Sequence, residues 1–171
     1  MNYTVHPIQS VLPILRDLDG ATLSPRAFAA ACVTSGWPEP VDDGIGLWEV
    51  EHPKEGTPLV LDTVTEPVTL ICRLEQDDDY EPDDLLEGAL RDRFNASFEK
   101  ALTALRATFP SAIAEGIYES PYNWRFAHFQ GLRSIIALEQ SDYDPIMGAQ
   151  LVVILQPLPR KQHQSAISST W

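Results

Sequence analysis

Positive charge is scarce in this chain. Of 171 residues, 12 are lysine or arginine and 25 are aspartate or glutamate, which gives a formal net charge of −13. Proteins bind nucleic acids by neutralising phosphates with basic side chains, so we expect no nucleic-acid partner. An anionic membrane surface is disfavoured for the same reason. A basic protein, by contrast, would be attracted by the electrostatic field of this chain.

Long apolar runs and cysteines are also scarce. No apolar run approaches the roughly 20 residues that a membrane-spanning helix needs, and the first residues lack the basic and apolar segments of a secretory signal. The two cysteines, Cys32 and Cys72, lie in separate apolar contexts, which is typical of buried thiols in a reducing cytosol. We therefore expect a cytoplasmic protein, although a disulfide between the two cysteines stays open at this point.

Catalytic and cofactor motifs are missing as well. The sequence contains no HExxH, no GxSxG and no phosphate-binding glycine loop. An acidic run over residues 75–87 offers oxygens to Ca²⁺, but it lacks the spacing and the glycine of an EF-hand loop, so a solvated loop is the better interpretation. We expect no enzyme activity, no cofactor and no bound metal.

The first half of the chain predicts two helices and then three strands. The first helix begins after Ser10, as N-cap, and ends at Gly20. The second has Ser24 as N-cap and Pro25 at the first helical position, and it runs to Gly36. The three strands are predicted over residues 46–52, 59–64 and 68–75. Their short connections indicate antiparallel pairing.

Alternation in the third of these strands predicts one buried face and one polar face. Leu70, Cys72 and Leu74 fall on one side, and Arg73 and Glu75 fall on the other. Cys72 is therefore expected to be an inert, buried thiol.

The second half of the chain predicts one long helix and three further strands. The helix spans residues 83–109, with Asp83 and Asp84 in its first turn. A connection of undefined structure follows over residues 111–123. The three strands are predicted over residues 124–130, 133–140 and 150–156. The last of them is apolar without interruption from Leu151 to Leu155, so we expect it to be central in the sheet or covered on both faces.

These elements predict an α+β fold in the order ααβββαβββ. One antiparallel sheet of about six strands, with the helices packed on it, would form a single domain over residues 1–156. Residues 157–171 are polar after two prolines, and we expect them to form a flexible tail.

Two segments are candidates for binding a protein partner. The acidic run offers carboxylates to a basic surface, and it includes one tyrosine, a residue enriched at interfaces. Its candidate binding residues are Asp77, Asp78, Asp79, Tyr80, Glu81, Asp83 and Asp84. The second segment is the aromatic and basic cluster of Trp124, Arg125, Phe126, His128 and Phe129, because tryptophan, tyrosine and arginine dominate binding hot spots. A strand with large core residues explains the same pattern without a partner. From this cluster, Trp124, Arg125 and His128 are the candidate binding residues.

His128 also carries an alternative interpretation. The strand pattern places it on the same face as Trp124, and if that face lines a pocket, His128 is a candidate general base. A hydrogen-bonded histidine on a mixed strand face explains the same pattern without any chemistry.

The element order and the acidity resemble, at the level of architecture only, two groups of small bacterial proteins. One group is immunity proteins that neutralise a toxin, and the other is secretion chaperones that hold an effector. We therefore expect a binding protein without catalysis, first as an immunity-type inhibitor of a basic toxin domain. The alternatives are a chaperone or adaptor that binds through an apolar sheet face, as monomer or homodimer, and a small-ligand binder or enzyme with a pocket near His128.

Overall fold

Nine strands and three helices build the part of the chain that can be described. A computed structural model describes residues 3–78, 88–119, 122–142 and 148–159. The helices are α1 (Leu12–Asp19), α2 (Pro25–Thr34) and α3 (Ala89–Thr108). The strands are β1 (Tyr3–Val5), β2 (Val41–Asp42), β3 (Leu47–Glu51), β4 (Pro58–Asp62), β5 (Thr69–Asp77), β6 (Ala112–Ile117), β7 (Arg125–Gln130), β8 (Ser134–Asp142) and β9 (Ala149–Pro157).

All strands belong to one antiparallel sheet. Its order is β2-β3-β4-β5-β9-β8-β7-β6, and β1 pairs with the end of β5 that extends past β4. The predicted α+β class with a large antiparallel sheet is confirmed. The expected six strands were too few, because β1, β2 and β6 were not predicted. β1 and β2 are only three and two residues long, and β6 is an exposed edge strand without apolar alternation.

β9 lies in the middle of the sheet, between β5 and β8. Its five residues from Leu151 to Leu155 are apolar, and four of them are buried. The expectation of a central strand is therefore confirmed. The strand also extends to Pro157, the first residue of the predicted tail; residues 160–171 of that tail lie outside the described residues.

The two short helices differ in how well local signals predicted them. Ser24 caps α2 as expected, because its hydroxyl accepts a hydrogen bond from the Ala27 backbone N–H at 3.1 Å. Gly20 ends α1 as expected, but the N-cap of α1 is Val11 and not Ser10.

The long helix begins later than predicted. α3 starts at Ala89, after Gly88 with a φ of 107°, a backbone conformation that favours glycine. Asp83 and Asp84, which were predicted in its first turn, fall outside the described residues. None of the helices in the described ranges combines the length and the apolar character that a membrane crossing requires.

The helices cover one face of the sheet. α3 packs on β8 and β9, and α1 packs on α2 and α3. One core cluster joins helix side chains to inward side chains of the central strands, and its largest fully buried members are Phe28, Phe94, Phe98 and Phe129. Burial of such a side chain contributes about 1.5–3 kcal/mol each, so this layer supplies most of the apolar stabilisation.

Both cysteines lie in this core as free thiols. Cys32 and Cys72 are fully buried and form no disulfide. Burial raises the pKa of each thiol to about 12. The expectation of buried, reduced thiols is confirmed.

Candidate functional site

The second face of the sheet points away from the core. Successive side chains of a strand point to opposite faces, so Val60, between the buried Leu59 and Leu61, faces away from the helices. Ala137 and Val152 are buried, yet they lie outside the core cluster. We call this second surface the open face. Its members include Leu47, Glu49, Glu51, Val60, Asp62, Thr69, Ile71, Arg73, Ala114, Phe126, His128, Ile135, Ala137, Glu139, Gln150, Val152 and Ile154.

A row of direct cross-strand neighbours crosses the middle of the open face. The row runs from β3 to β6 through Glu49, Val60, Ile71, Ile154, Ala137, His128 and Ala114. At about 4.8 Å per strand, it spans roughly 29 Å. The four residues in its centre are aliphatic, so the open face has an apolar middle.

Carboxylates border this apolar middle. The charged side chains of the open face are four acids, Glu49, Glu51, Asp62 and Glu139, and one arginine, Arg73. Glu49 and Glu51 are exposed on β3. Hydrogen bonds from the Thr65 hydroxyl and from the Thr65 and Val64 backbone lower the pKa of Asp62, which keeps it ionised. The β3–β4 side of the open face is therefore negatively charged.

His128 belongs to a polar cluster near the other side of the open face. Glu139 Oε1 lies 2.9 Å from His128 Nε2 and accepts a hydrogen bond from the Tyr118 hydroxyl at 2.7 Å. The Tyr118 ring stacks on Phe126 with 4.4 Å between centroids. Burial, and next the hydrogen bond to Glu139, raise the pKa of Tyr118 above its ordinary value. The tyrosine is therefore a neutral donor that helps to orient Glu139.

The predicted acidic docking surface lies only in part within the described residues. Asp77 forms an ion pair with Arg93, with 2.8 Å between Oδ2 and Nη2. Asp78 is exposed and accepts a hydrogen bond from the Gln76 side chain. The other members, Asp79, Tyr80, Glu81, Asp83 and Asp84, lie outside the described residues. Partner binding by this run stays a prediction. In the ranges that are described, no three histidine, cysteine or acidic side chains are grouped to hold a metal ion.

Trp124, Arg125 and His128 do not form one surface. Trp124 is only 3% exposed and belongs to the core cluster. Its Nε1 donates a hydrogen bond to Asp142 Oδ1 at 2.7 Å. The expectation that Trp124 shares a face with His128 was wrong, because Trp124 lies before β7 begins and follows Asn123, whose φ is 49°.

Arg125 lies on the helix side of the sheet. Its guanidinium pairs with Glu99 of α3 and lies 4.3 Å from the centre of the Phe98 ring. Of the residues in the predicted aromatic and basic cluster, Phe126 and His128 therefore belong to the open face, whereas Trp124, Arg125 and Phe129 do not.

Glu75 is the site residue that the alternation pattern placed on the wrong face. The pairing register between β5 and β9 shifts between Arg73 and Glu75. Arg73 pairs with Val152 and Glu75 pairs with Leu151, so β5 contains one extra residue at this point. This β-bulge reverses the alternation, as bulges do when they redirect a side chain. Glu75 pairs with Leu151 and is 1% exposed, on the core side of the sheet.

The Glu75 carboxyl group is held at one oxygen only. Tyr3 donates a hydrogen bond to Oε1, and Arg93 lies over the Tyr3 ring at 3.7 Å from its centroid. Oε2 is buried and has no hydrogen-bond partner within the part of the chain that is described. Burial raises the pKa of Glu75, and the Ser97, Tyr3 and Arg93 side chains oppose that rise.

Glu75 lines a cavity of about 500 Å³. The cavity lies between the segment that follows β1, the strands β5 and β9, and the helix α3. Its apolar walls are formed by Val5, Ile8, Leu74, Ala101 and Leu151. Exposed Gln9 and Lys100 also line it, so it opens to solvent. We call this the Glu75 cavity.

No protein-family model, no curated protein and no solved structure matches this chain.

Proposed function

We propose that this chain is a protein-binding domain without catalysis that docks a basic partner on its open face. The observation that carries the proposal is the row of aliphatic side chains across the middle of the sheet, on the face away from the helix layer. An apolar centre with a polar border is the usual composition of a protein interface.

The charge of the open face selects the chemistry of the partner. Four carboxylates stand against one guanidinium on this face, and the chain as a whole carries a formal net charge of −13. Arg73 also donates a hydrogen bond from Nε to Gln150 Oε1 at 3.0 Å, so it is directed along the sheet. A second copy of this chain would bring like charges together, whereas a basic surface would be attracted.

An immunity-type inhibitor of a basic toxin domain is the form of this function that we favour. An inhibitor of that kind needs a preformed, rigid surface and opposite charge, and it needs no active site of its own. A broad sheet held from behind by a helix layer meets the first requirement, and exposed Glu49 and Glu51 on β3 contribute to the second.

Photo-crosslinking in the source cells tests the docking face even while the partner is unidentified. A photoreactive residue at Val60, on the open face, should crosslink to a protein whose own net charge is positive. The matched control places the same residue at Val33, which is 58% exposed on α2. Equal crosslinking at both positions, or an acidic partner at Val60, would contradict the proposal.

The captured partner then allows a quantitative test. The double substitution Glu49→Lys and Glu51→Lys should weaken binding by about 1–2 kcal/mol in total, or about 5- to 30-fold in Kd, because each reversal removes one attraction and adds one repulsion. Glu39→Lys, in the exposed loop before β2, is the control. Calorimetry at about 50 mM and about 500 mM NaCl should show weaker binding at the higher salt. A Kd that is independent of salt would refute the electrostatic part of the proposal.

The contact of His128 with Glu139 favours a second candidate, a small-ligand site on the open face. The His128 side chain is 29% exposed, so a ligand can reach its ring. The substitution His128→Gln separates the two candidates. It should abolish the binding of a small ligand at this position, whereas it should change the affinity for a protein partner only slightly.

A further inference from the structure

The two ends of the sheet differ in how well they are protected against a further strand. An edge strand presents unpaired backbone N–H and C=O groups, and proteins shorten, twist or charge such strands to keep other chains away. At one end of the sheet, β2 is only two residues long, and one of them is the exposed Asp42. At the other end, β6 has six residues, of which Glu115 carries the only charge and none is proline or lysine. The sheet is therefore open to a further strand at β6.

The backbone of β6 directs two residues outward. The Tyr118 N–H donates a hydrogen bond to the Trp124 carbonyl oxygen at 2.8 Å, so the backbone groups of Tyr118 face β7. Inward and outward residues alternate along an antiparallel pair, so the backbone groups of Glu115 and Ile117 point away from β7. In the ranges that the structure describes, neither residue has a backbone partner on that outer side. A bulge earlier in β6 interrupts the regular pairing, and we call the regular part, residues 114–118, the β6 edge.

The side chains of the β6 edge do not attract a basic partner. Ala114 and Gly116 are small and lie on the side of the open face. Ile117 is 61% exposed on the helix side of the sheet. Glu115 is the one acidic residue of this edge, and it forms an ion pair with Arg106 of α3. The occupant of the edge is therefore selected by shape and backbone pairing, and not by an unpaired negative charge.

We propose that the β6 edge pairs with the β6 edge of a second copy of this chain, antiparallel, across a two-fold axis at Gly116. Glu115 of each copy then lies opposite Ile117 of the other, and their outward N–H and C=O groups form four backbone hydrogen bonds. Ala114 of each copy lies opposite Tyr118 of the other, so the aromatic ring has a small neighbour. The two Gly116 residues meet at the axis. The edge is thus self-complementary, as a two-fold interface requires.

Charge selects this register over the neighbouring ones. An axis at Glu115 would place two glutamates directly opposite each other, and an axis at Ile117 would place Glu115 opposite Glu119. Like charges directly opposite each other on a sheet are destabilising. An axis between two residues would set an outward residue against an inward one, so the hydrogen-bond ladder could not form.

This dimer is separate from the docking of a basic partner. The edge pairs through backbone groups at the rim of the sheet, whereas the aliphatic row that would dock the partner lies in its middle. The two-fold axis is perpendicular to the sheet, so the open faces of both copies lie on the same side of one continuous sheet. Salt distinguishes the two proposals. High salt screens the net charge of −13 on each copy and should strengthen the dimer, whereas it should weaken the binding of a basic partner.

Sedimentation velocity of the full chain, from about 10 μM to about 1 mM, measures the dimer. Five paired residues bury less than the roughly 1,200 Å² of a stable interface, so we expect a Kd between about 10 μM and about 1 mM. Ile117→Glu places a carboxylate opposite Glu115 of the second copy and should raise the Kd at least about tenfold, whereas Ile117→Lys should not raise it. The control is Val41→Glu, which adds the same charge at a 69% exposed position on β2 and should leave the Kd unchanged.

Single cysteines measure the register. Gly116→Cys should form a disulfide between two copies, because the two Cα atoms at the axis would be about 4.5 Å apart. A Cβ at Gly116 would lie 3.2 Å from the Phe126 Cζ atom, a contact that a small shift of the ring relieves. Ile117→Cys should not crosslink, because its Cα atoms would be about 7–8 Å apart. The native Cys32 and Cys72 are buried and give no background. Should Gly116→Cys fail to fold, the Ile117 and Val41 series decides the question.

Three results would overturn the proposal. One is a monomer at all concentrations up to about 1 mM, at both about 50 mM and about 500 mM NaCl. The second is a dimer that Ile117→Glu and Val41→Glu weaken equally, or that Ile117→Lys weakens as much as Ile117→Glu does, because the interface or its register would then be a different one. The third is crosslinking of Ile117→Cys in preference to Gly116→Cys, which would place the axis at Ile117.

Discussion

Replacing Asp19 should destabilise this protein more than replacing any exposed acidic residue. Asp19 ends α1, is 4% exposed, and is the acceptor for the turn between β7 and β8. Its Oδ2 accepts the Leu132 N–H at 2.8 Å, and its Oδ1 accepts the N–H groups of Arg133 and Ser134, both at 3.1 Å. One carboxylate thus joins the helix layer to a turn that is more than 110 residues away in sequence.

The magnitude follows from what each donor can do once the carboxylate is gone. A hydrogen bond to a charged acceptor contributes about 1.5–3 kcal/mol. Leu132 and Arg133 are exposed and Ser134 is buried, so water can satisfy the first two N–H groups more readily than the third. We therefore expect Asp19→Ala to lower the free energy of unfolding by about 3–4 kcal/mol, a large share of the 5–15 kcal/mol that is typical for a domain.

Urea denaturation followed by circular dichroism measures this loss. Asp19→Asn keeps one acceptor oxygen and should lose about half as much. Gly131 supplies an independent check, because a Cβ at this position would collide with the Asp19 carboxylate. Gly131→Ala should therefore destabilise the native chain strongly and cost clearly less once Asp19 is alanine, a coupling that a double-mutant cycle detects.

Two results would refute this reasoning. A loss below about 1 kcal/mol for Asp19→Ala would mean that the three N–H groups find equal partners elsewhere. Strict additivity of Asp19→Ala and Gly131→Ala would mean that the two residues are not in contact in solution.

Three further predictions concern the titration of the two cysteines, of Tyr118 and of Glu75. Cys32 and Cys72, whose pKa values burial raises to about 12, should react with Ellman's reagent at about pH 8 only after unfolding; rapid reaction of the folded protein would contradict their burial. Tyr118 should stay protonated at a pH where ordinary tyrosines ionise, so Tyr118→Phe should leave the ultraviolet phenolate signal at about pH 11 unchanged, whereas Glu139→Gln should lower the pKa of Tyr118. Burial raises the pKa of Glu75 above its ordinary 4.5. The stability that the protonated Glu75 side chain contributes is therefore present below pH 4.5 and is lost as the pH rises through the raised pKa. Glu75→Gln should remove this part of the pH dependence of stability, and an unchanged pH profile would show that other groups cause it.

Local chemistry accounts for the elements that the sequence predicted well. Ser24 and Pro25 predict the start of α2 because an N-cap hydroxyl and a fixed φ act within one turn of the chain. The apolar run from Leu151 to Leu155 predicts a central strand. A strand with a neighbouring strand on each side exposes little of either face when helices cover one face of the sheet. The excess of acidic residues, and with it the expectation of a basic partner, is likewise a property of composition alone.

Short and exposed elements were beyond such signals. β1 and β2 are strands only because β5 and β3 supply their hydrogen-bond partners. β6 is a strand because β7 pairs with it, although most of its residues are exposed. Trp124 looked like a surface aromatic, and only its contacts with Asp142 and the core cluster place it inside.

Glu75 shows most clearly where the information in the sequence ends. Composition and alternation determined an acidic α+β chain with an antiparallel sheet, and they assigned Glu75 to a polar face beside Arg73. The bulge in β5 depends on the register with β9, a strand that lies more than 70 residues further along the chain. Only that long-range pairing turns Glu75 inward and gives the open face its apolar row, because both depend on which residues lie opposite one another in the folded sheet.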